Sequence, residues 1–234
     1  MPKLTNALLT VAKRPAPGQT KTRLTPPLTP QQATDLYACF LRDTLDLMRQ
    51  TAAAARVITY LPAGESAYFA ALAPDFELLV QEGPDLGARL DNAMTHFLQQ
   101  GYERVVVMDS DSPTLPPHCL TAAFAALELG ADVALGPCDD GGYYLIGLKR
   151  PAPRLLREVQ MSTSRVVADT LALAREEGLL VELLPIWYDI DDAGSLARLH
   201  AELATGPATV APATRAFFAA NPDLVALLPQ MAAL

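Results

Sequence analysis

The stretch VVVMDSDSPTL, residues 105–115, decides how the rest of the chain is read. Three valines and a methionine form an apolar run, and β-branched residues favour a strand. The run lacks polar alternation, which marks a strand buried on both faces. Asp109 and Asp111 stand where it ends, and Pro113 fixes the chain as it leaves the sheet. Two chemistries use such a pair. One is a phosphatase-type aspartyl nucleophile; the other is a carboxylate mount for a divalent metal that clamps a diphosphate. A plain turn is the simpler account, because Asp, Ser and Pro all favour turns. Against it, the end of an apolar strand is a costly place for idle carboxylates.

Outward from this strand, apolar runs alternate with amphipathic stretches. Strands are expected at 7–12, 56–61, 76–81, 104–109, 131–136, 143–148 and 179–187. Helices are expected at 30–54, 65–73, 86–99, 117–129, 164–177 and 192–204. Leu86, Leu90, Ala93 and Phe97 carry the helical period of the third. This alternation predicts an α/β fold: a three-layer α/β/α sandwich with a mostly parallel, Rossmann-like sheet. Ligands of such sheets lie beyond the carboxyl ends of the strands. The loops 13–23, 81–87, 109–115 and 137–142 are then expected along one edge. Residues 1–206 form the expected main domain, and 207–234, rich in Ala and Leu, a small helical extension that covers the core or makes a homodimer contact.

The chain has 234 residues, half of them hydrophobic, which suits a packed globule. No apolar run approaches the roughly 18 residues needed to span a bilayer. The apolar centre of the N-terminus reads as a strand rather than a signal peptide, since no small-residue cleavage site follows. Cys39, Cys119 and Cys138 have neither metal-ligand nor disulfide spacing, so a reduced cytoplasm is expected. A net charge of −8 argues against nucleic acid as a partner. Yet Lys3, Lys13, Arg14, Lys21 and Arg23 all precede the first acidic residue, Asp35. A basic segment in an acidic chain suits a small anionic ligand.

In KRPAPGQTKTRL (13–24), Gly18 permits close backbone approach and the cations suit a diphosphate, although a solvated surface loop remains open. It lacks the Walker A pattern. CDDGGYYLIGL (138–148) pairs acids with two glycines and is equally a hairpin signal. YDIDDAGSLARL (188–199) places three aspartates before a helix, where Asp191 or Asp192 is a natural N-cap. Gln81 has the paired donor and acceptor that read a base edge. His96, His118 and His200 occur singly, as surface or helix-lining residues do.

In order and spacing, AKRPAPGQTKTRL, QEGPDLGARL, VVVMDSDSPTL, GPCDDGGYYLIGL, MSTSRV and YDIDDAGSLARL resemble a bacterial family of glycosyltransferase-like proteins. That family belongs to the nucleotide-diphospho-sugar transferase superfamily, has the glycosyltransferase-A fold, and is related to molybdopterin and phospholactate nucleotidyltransferases. The resemblance covers about residues 4–200. It implies a nucleotide or nucleotide sugar as partner, with Lys13, Arg14, Gly18, Lys21 and Arg23 near the phosphates and Gln81 and Gly87 near the base. It implies Mg²⁺ or Mn²⁺ on Asp111 and Asp191, with Asp109, where the family more often has glycine, as an accessory. It implies catalytic roles for Asp111, Lys21 and Asp140, the last bordering the pocket of an unknown small-molecule acceptor. Met161 stands where the family usually has tryptophan, and Asp191–Leu196 departs from the usual D-T-x-x-D-L, which leaves helix capping there open.

The resulting expectation is a metal-dependent transferase using a nucleotide-activated donor, either a glycosyltransferase or a nucleotidyltransferase. One alternative is a haloacid-dehalogenase-type phosphohydrolase with Asp109 as nucleophile and Asp111 as acid/base. Against it, that motif normally opens a chain, Pro113 is out of place and the basic loop goes unexplained. The other alternative is a non-catalytic nucleotide-binding protein.

Overall fold

The computed structural model describes residues 5–53 and 55–231. Lys3 of the basic segment, Ala54 at the expected helix end, and residues 232–234 lie outside them. Seven strands form one sheet: β1 (Asn6–Lys13), β2 (Ala55–Leu61), β3 (Glu77–Val80), β4 (Arg104–Met108), β5 (Val133–Pro137), β6 (Tyr143–Leu148) and β7 (Val181–Leu183). Their order is β3-β2-β1-β4-β6-β5-β7. All neighbouring pairs are parallel except those of β6, which runs antiparallel to β4 and β5.

The β4 run is fully buried, and its side chains alternate between two cores. Val106 and Met108 pack on one face of the sheet; Val105 and Val107 pack on the other. The first face is covered by α1 (Pro30–Arg49), α4 (Pro117–Leu129), α7 (Ala193–Thr205), α8 (Pro212–Ala220) and α9 (Pro222–Met231). The second is covered by α3 (Leu86–Gln99), α5 (Pro153–Arg157) and α6 (Val166–Glu176). Short α2 (Ser66–Leu72) follows β2. The expected three-layer sandwich is therefore present. No described helix is long and apolar enough to cross a membrane.

Local chemistry sets the helix ends. Thr29 opens α1 with a reciprocal capping box: its hydroxyl accepts from Gln32 N at 3.2 Å, and Gln32 Oε1 accepts from Thr29 N at 2.9 Å. Helix α1 stops at Arg49 rather than near residue 54. Arg56 of β2 donates to the carbonyls of Met48 and Thr51, each at 3.0 Å, and so satisfies the helix end. The expected strand 179–187 shrinks to three residues plus a bridge between Cys138 and Trp187, because Pro185 has no N–H to donate. The C-terminal helices are tied down by Asp43 of α1. Its carboxylate accepts from Ala213 N at 2.9 Å, Thr214 N at 2.8 Å and Thr214 Oγ1 at 2.6 Å, capping α8 from outside.

Candidate functional site

The carboxyl ends of β1, β2, β3 and β4 share one edge, as parallel pairing requires. A cavity of about 940 Å³ opens there, within the size range of ligand sites. Its wall includes Lys13, Lys21 and Arg23 from the loop after β1, Gln81 after β3, Asp109 and Asp111 after β4, and Asp191 before α7. A second cavity of about 370 Å³ adjoins it and is lined by Cys138, Asp140, Tyr143, Ser162, Thr163, Ser164 and Asp189. Arg23, Asp109, Asp111, Met161 and Asp191 border both.

The loop after β4 is pinned by a hydroxyl chain. Lys13 N donates to Tyr37 Oη at 3.2 Å, Tyr37 meets Ser110 Oγ at 2.9 Å, and Ser110 donates to Val11 O at 2.9 Å. This stitches the ends of β1 and β4 to α1. A further bond, Ile190 N to Asp111 O at 3.0 Å, brings the 188–191 segment alongside.

Lys21 is the centre of the site. Its Nζ lies 2.9 Å from Asp111 Oδ1 and 2.9 Å from Asp191 Oδ1, and its side chain is only 6 % exposed. The contact with Asp191 is a hydrogen bond. The contact with Asp111 is an ion pair over the same distance. Burial alone would lower the Lys21 pKa, but Asp111 and Asp191 overturn it and hold the amine above its ordinary value. Burial likewise works against the Asp191 carboxylate. Lys21 and Arg23 outweigh it and keep its pKa below the usual range.

Asp109 differs from Asp111. Ser112 Oγ lies 2.9 Å from Asp109 Oδ2 and 3.0 Å from Tyr188 O. The Ser112 hydroxyl is thus shared between the two acceptors. Burial first, and Asp111 second, push the Asp109 pKa well above its ordinary value, against the opposing effect of the Ser112 hydrogen bond. This carboxyl is tied into the loop's hydrogen-bond network while it also borders both cavities.

Other expected residues separate along the same lines. Arg14 pairs with Glu65 and lies over the Tyr68 ring, directed away from the cavity. Gly18 is exposed at φ +73°, and it serves the turn rather than the cavity wall. Gly87 is buried, and a Cβ there would stand 2.0 Å from Leu156 O; its role is the close packing of α3 on α5. Gln81 directs its amide donors to Ala12 O at 3.3 Å and Thr59 O at 2.9 Å. Two carbonyl neighbours fix which end is the nitrogen, so Gln81 has no amide donor left for a base. Asp140 lies exposed at the second cavity and accepts from Gly142 N at 2.8 Å, closing the β5–β6 hairpin. Asp192, not Asp191, caps α7: it accepts from Ser195 N at 2.7 Å.

Two residues were given no site role from the sequence, and Cys138 was expected to lie outside any ligand group. Asp189 lines the second cavity, and burial, Asp191 and Asp140 push its pKa up to about 6. Cys138, Asp140 and Asp189 bring their ligating atoms within 4.8 Å of one another. The cysteine spacing gave no hint of this, because the contact depends on how β5 and the 188–191 segment pack. The 157–162 segment after α5 also lines the larger cavity.

A bacterial family described as "Uncharacterized protein conserved in bacteria (DUF2064)" matches residues 44–163, just over half of the chain. The chain belongs to that family. A crystal structure from Desulfovibrio desulfuricans G20, provisionally assigned as a nucleotide-diphospho-sugar transferase, is 32% identical to this DUF2064 protein; the match covers 95% of this chain and 97% of that one, with a TM-score of 0.87. Two more distant structures share the fold alone. One is CMP:2-keto-3-deoxy-manno-octonic acid synthetase complexed with CTP, at 12% identity, 86% and 98% coverage and TM-score 0.56. The other is Rv0371c of Mycobacterium tuberculosis H37Rv in complex with manganese, at 20% identity, 84% and 98% coverage and TM-score 0.54. No curated protein matches in sequence.

Proposed function

We propose that this DUF2064 protein is a metal-dependent transferase acting on a nucleotide-activated donor. The observation that carries the reading is the convergence of Asp111 and Asp191, from separate loops, on one cation position now filled by the Lys21 amine at 2.9 Å from each. The donor set suits a hard divalent ion: two carboxylates whose oxygens meet at one point. Asp111 and Asp191 would hold Mg²⁺ or Mn²⁺, which supplies neutralisation of diphosphate charge as the leaving group departs. Lys13, Lys21 and Arg23 hold the phosphates; Asp140 faces the acceptor. The carboxylates of the smaller cavity favour a polyhydroxylic or cationic acceptor over a phosphorylated one. The 32%-identical relative's assignment supports nucleotide-sugar chemistry, with glycosyl transfer ahead of nucleotidyl transfer. We assign this activity to residues 1–206, with 207–234 as an appended helical cover, and place it in the cytoplasm.

A phosphohydrolase reading needs Asp109 ionised and open to an incoming phosphate. Burial and the neighbouring Asp111 carboxylate, which push its pKa up, oppose that role. The test of the proposal is calorimetric titration of nucleoside triphosphates and nucleoside-diphosphate sugars, with and without Mn²⁺, into wild type and Asp111→Ala. Metal-dependent binding lost in the variant is expected. Equal binding by both proteins would overturn the metal-clamp assignment.

A further inference from the structure

Lys21 is unusual in two independent ways. Its ammonium occupies the position that faces both Asp111 and Asp191 at 2.9 Å, although its side chain is almost wholly buried. Its backbone also sits in the left-handed region, at φ 49° and ψ 43°, which is unfavourable for a residue with a Cβ. A non-glycine residue stays there only where its surroundings over-determine it. Here the two carboxylates hold the side chain, and Lys21 N-caps the short 3-10 turn Thr22–Leu24 without any side-chain cap bond.

We propose that Lys21 is a built-in counter-ion that occupies the divalent-cation position until a nucleotide phosphate draws it away. The inference rests on the reading of Asp111 and Asp191 as the cation site. An ammonium and a divalent ion cannot share the space between two carboxylates, because like charges a few ångströms apart repel strongly in a partly desolvated site. The cation alone must therefore displace a buried ion pair and binds weakly. A diphosphate offers the amine new anionic oxygens, so Lys21 exchanges its two aspartate partners for phosphate while the aspartates receive the metal. Nucleotide and metal then strengthen one another, and by linkage each raises the other's affinity by the same factor. The loop 13–23 moves with the amine, since the backbone at Lys21 relaxes once the side chain is released.

The test is Mn²⁺ binding in the absence of nucleotide, read from the free-ion electron paramagnetic resonance signal, for wild type and Lys21→Met. Methionine keeps the length of the side chain and removes its charge. Lys21→Met is expected to bind Mn²⁺ at least 10-fold more tightly than wild type, and the double variant Lys21→Met/Asp111→Asn is expected to lose that gain. Equal or weaker binding by Lys21→Met would overturn the inference. Lys21→Ala, expected to show the same gain, covers the case in which Met disturbs the loop. A second readout needs no variant: amine acetylation of wild type, followed by mass spectrometry, with exposed Lys13 as internal reference. Mn²⁺ alone should speed labelling of Lys21 several-fold over Lys13, and an unchanged ratio at saturating Mn²⁺ would also overturn the inference. The underlying cation-site reading is checked separately by Mn²⁺ binding to wild type and Asp111→Ala with each of the four ribonucleoside triphosphates. If no Asp111-dependent binding appears there, that reading and the counter-ion role fall together; if it appears and Lys21→Met gives no gain, the counter-ion role alone falls.

Discussion

Gly87→Ala separates a packing role from a base-binding role at one residue. The added Cβ would stand 2.0 Å from the Leu156 carbonyl oxygen and 3.0 Å from its carbon, whereas a comfortable carbon–oxygen contact is about 3.3 Å. A backbone carbonyl cannot swing aside as a side chain does, so α3 and α5 must part by roughly an ångström. Overpacking of this kind costs about 1–3 kcal/mol, and a backbone clash belongs at the upper end. Gly87 is the second residue of α3, and removing a glycine there returns at most about 1 kcal/mol. The net loss is therefore about 2 kcal/mol, or a fall in Tm of roughly 4–8 °C for a chain of this size. Gly194→Ala in α7 is the matched control, because the nearest atom to its new Cβ is Asp192 Oδ1 at an ordinary 3.4 Å. It should leave Tm unchanged or slightly raised. Thermal unfolding followed by circular dichroism reads both. A Gly87→Ala protein that melts with wild type but binds nucleotide weakly would refute the packing argument and restore Gly87 to the base.

Asp43→Ala strips Ala213 N, Thr214 N and Thr214 Oγ1 of their shared acceptor and should cost about 3 kcal/mol in urea unfolding; an unchanged midpoint would mean that α8 does not depend on this tie. Asp109→Asn keeps a neutral group of the same shape beside Ser112 and should not lower stability at pH 7, where a drop of more than about 1 kcal/mol would show that the wild-type group is ionised. The Asp189 carboxyl, raised to about 6, contributes stability that is fully present below its ordinary value of 3.8 and is lost as pH rises through about 6. Asp189→Asn should accordingly match wild type near pH 4 and exceed it at pH 8 by about 1–2 kcal/mol, discounted for partial exposure; equal differences at both pH values would contradict the shift.

The elements that were legible in the sequence are those whose stability is local or periodic. Leu90, Ala93 and Phe97 recur on one helix face, and α3 runs over the expected 86–99 with those residues buried. VVVM needed only its lack of polar alternation to be read as a central strand, and it is buried on both faces. Where the expectation slipped, a distant group decided. The alanines after Thr51 are strong helix formers, yet Arg56 closes α1 earlier by taking its last carbonyls. Asp109 and Asp111 are indistinguishable by spacing; they differ because Ser112 and Tyr188 O gather one, and Lys21 the other. Asp189 and Cys138 lie in two separate quoted stretches whose spacing does not link them, and their proximity exists only once β5 and the segment before α7 are side by side.

Charge bears on what the proposed cation site would do in so acidic a protein. The larger cavity is lined by Lys13, Lys21, Arg23, Arg89 and Arg157, but equally by Asp85, Asp109, Asp111, Glu158 and Asp191. Three of the five cations are already committed: Lys21 to Asp111 and Asp191, Arg23 to Asp191, and Arg157 to Asp91. Five cations against five acids leave the wall close to neutral, and a diphosphate entering it meets little net attraction. Basic residues in 13–23 therefore do not by themselves make an anion site, whatever their density in the sequence. If Asp111 and Asp191 hold a divalent ion as proposed, that balance would change twice, by two added positive charges and by release of the Lys21 ammonium towards the phosphates. Under that proposal the basic loop and the two aspartates would act as one device, its cationic strength held in reserve by the residues that would bind the metal and expressed when donor and metal arrive together.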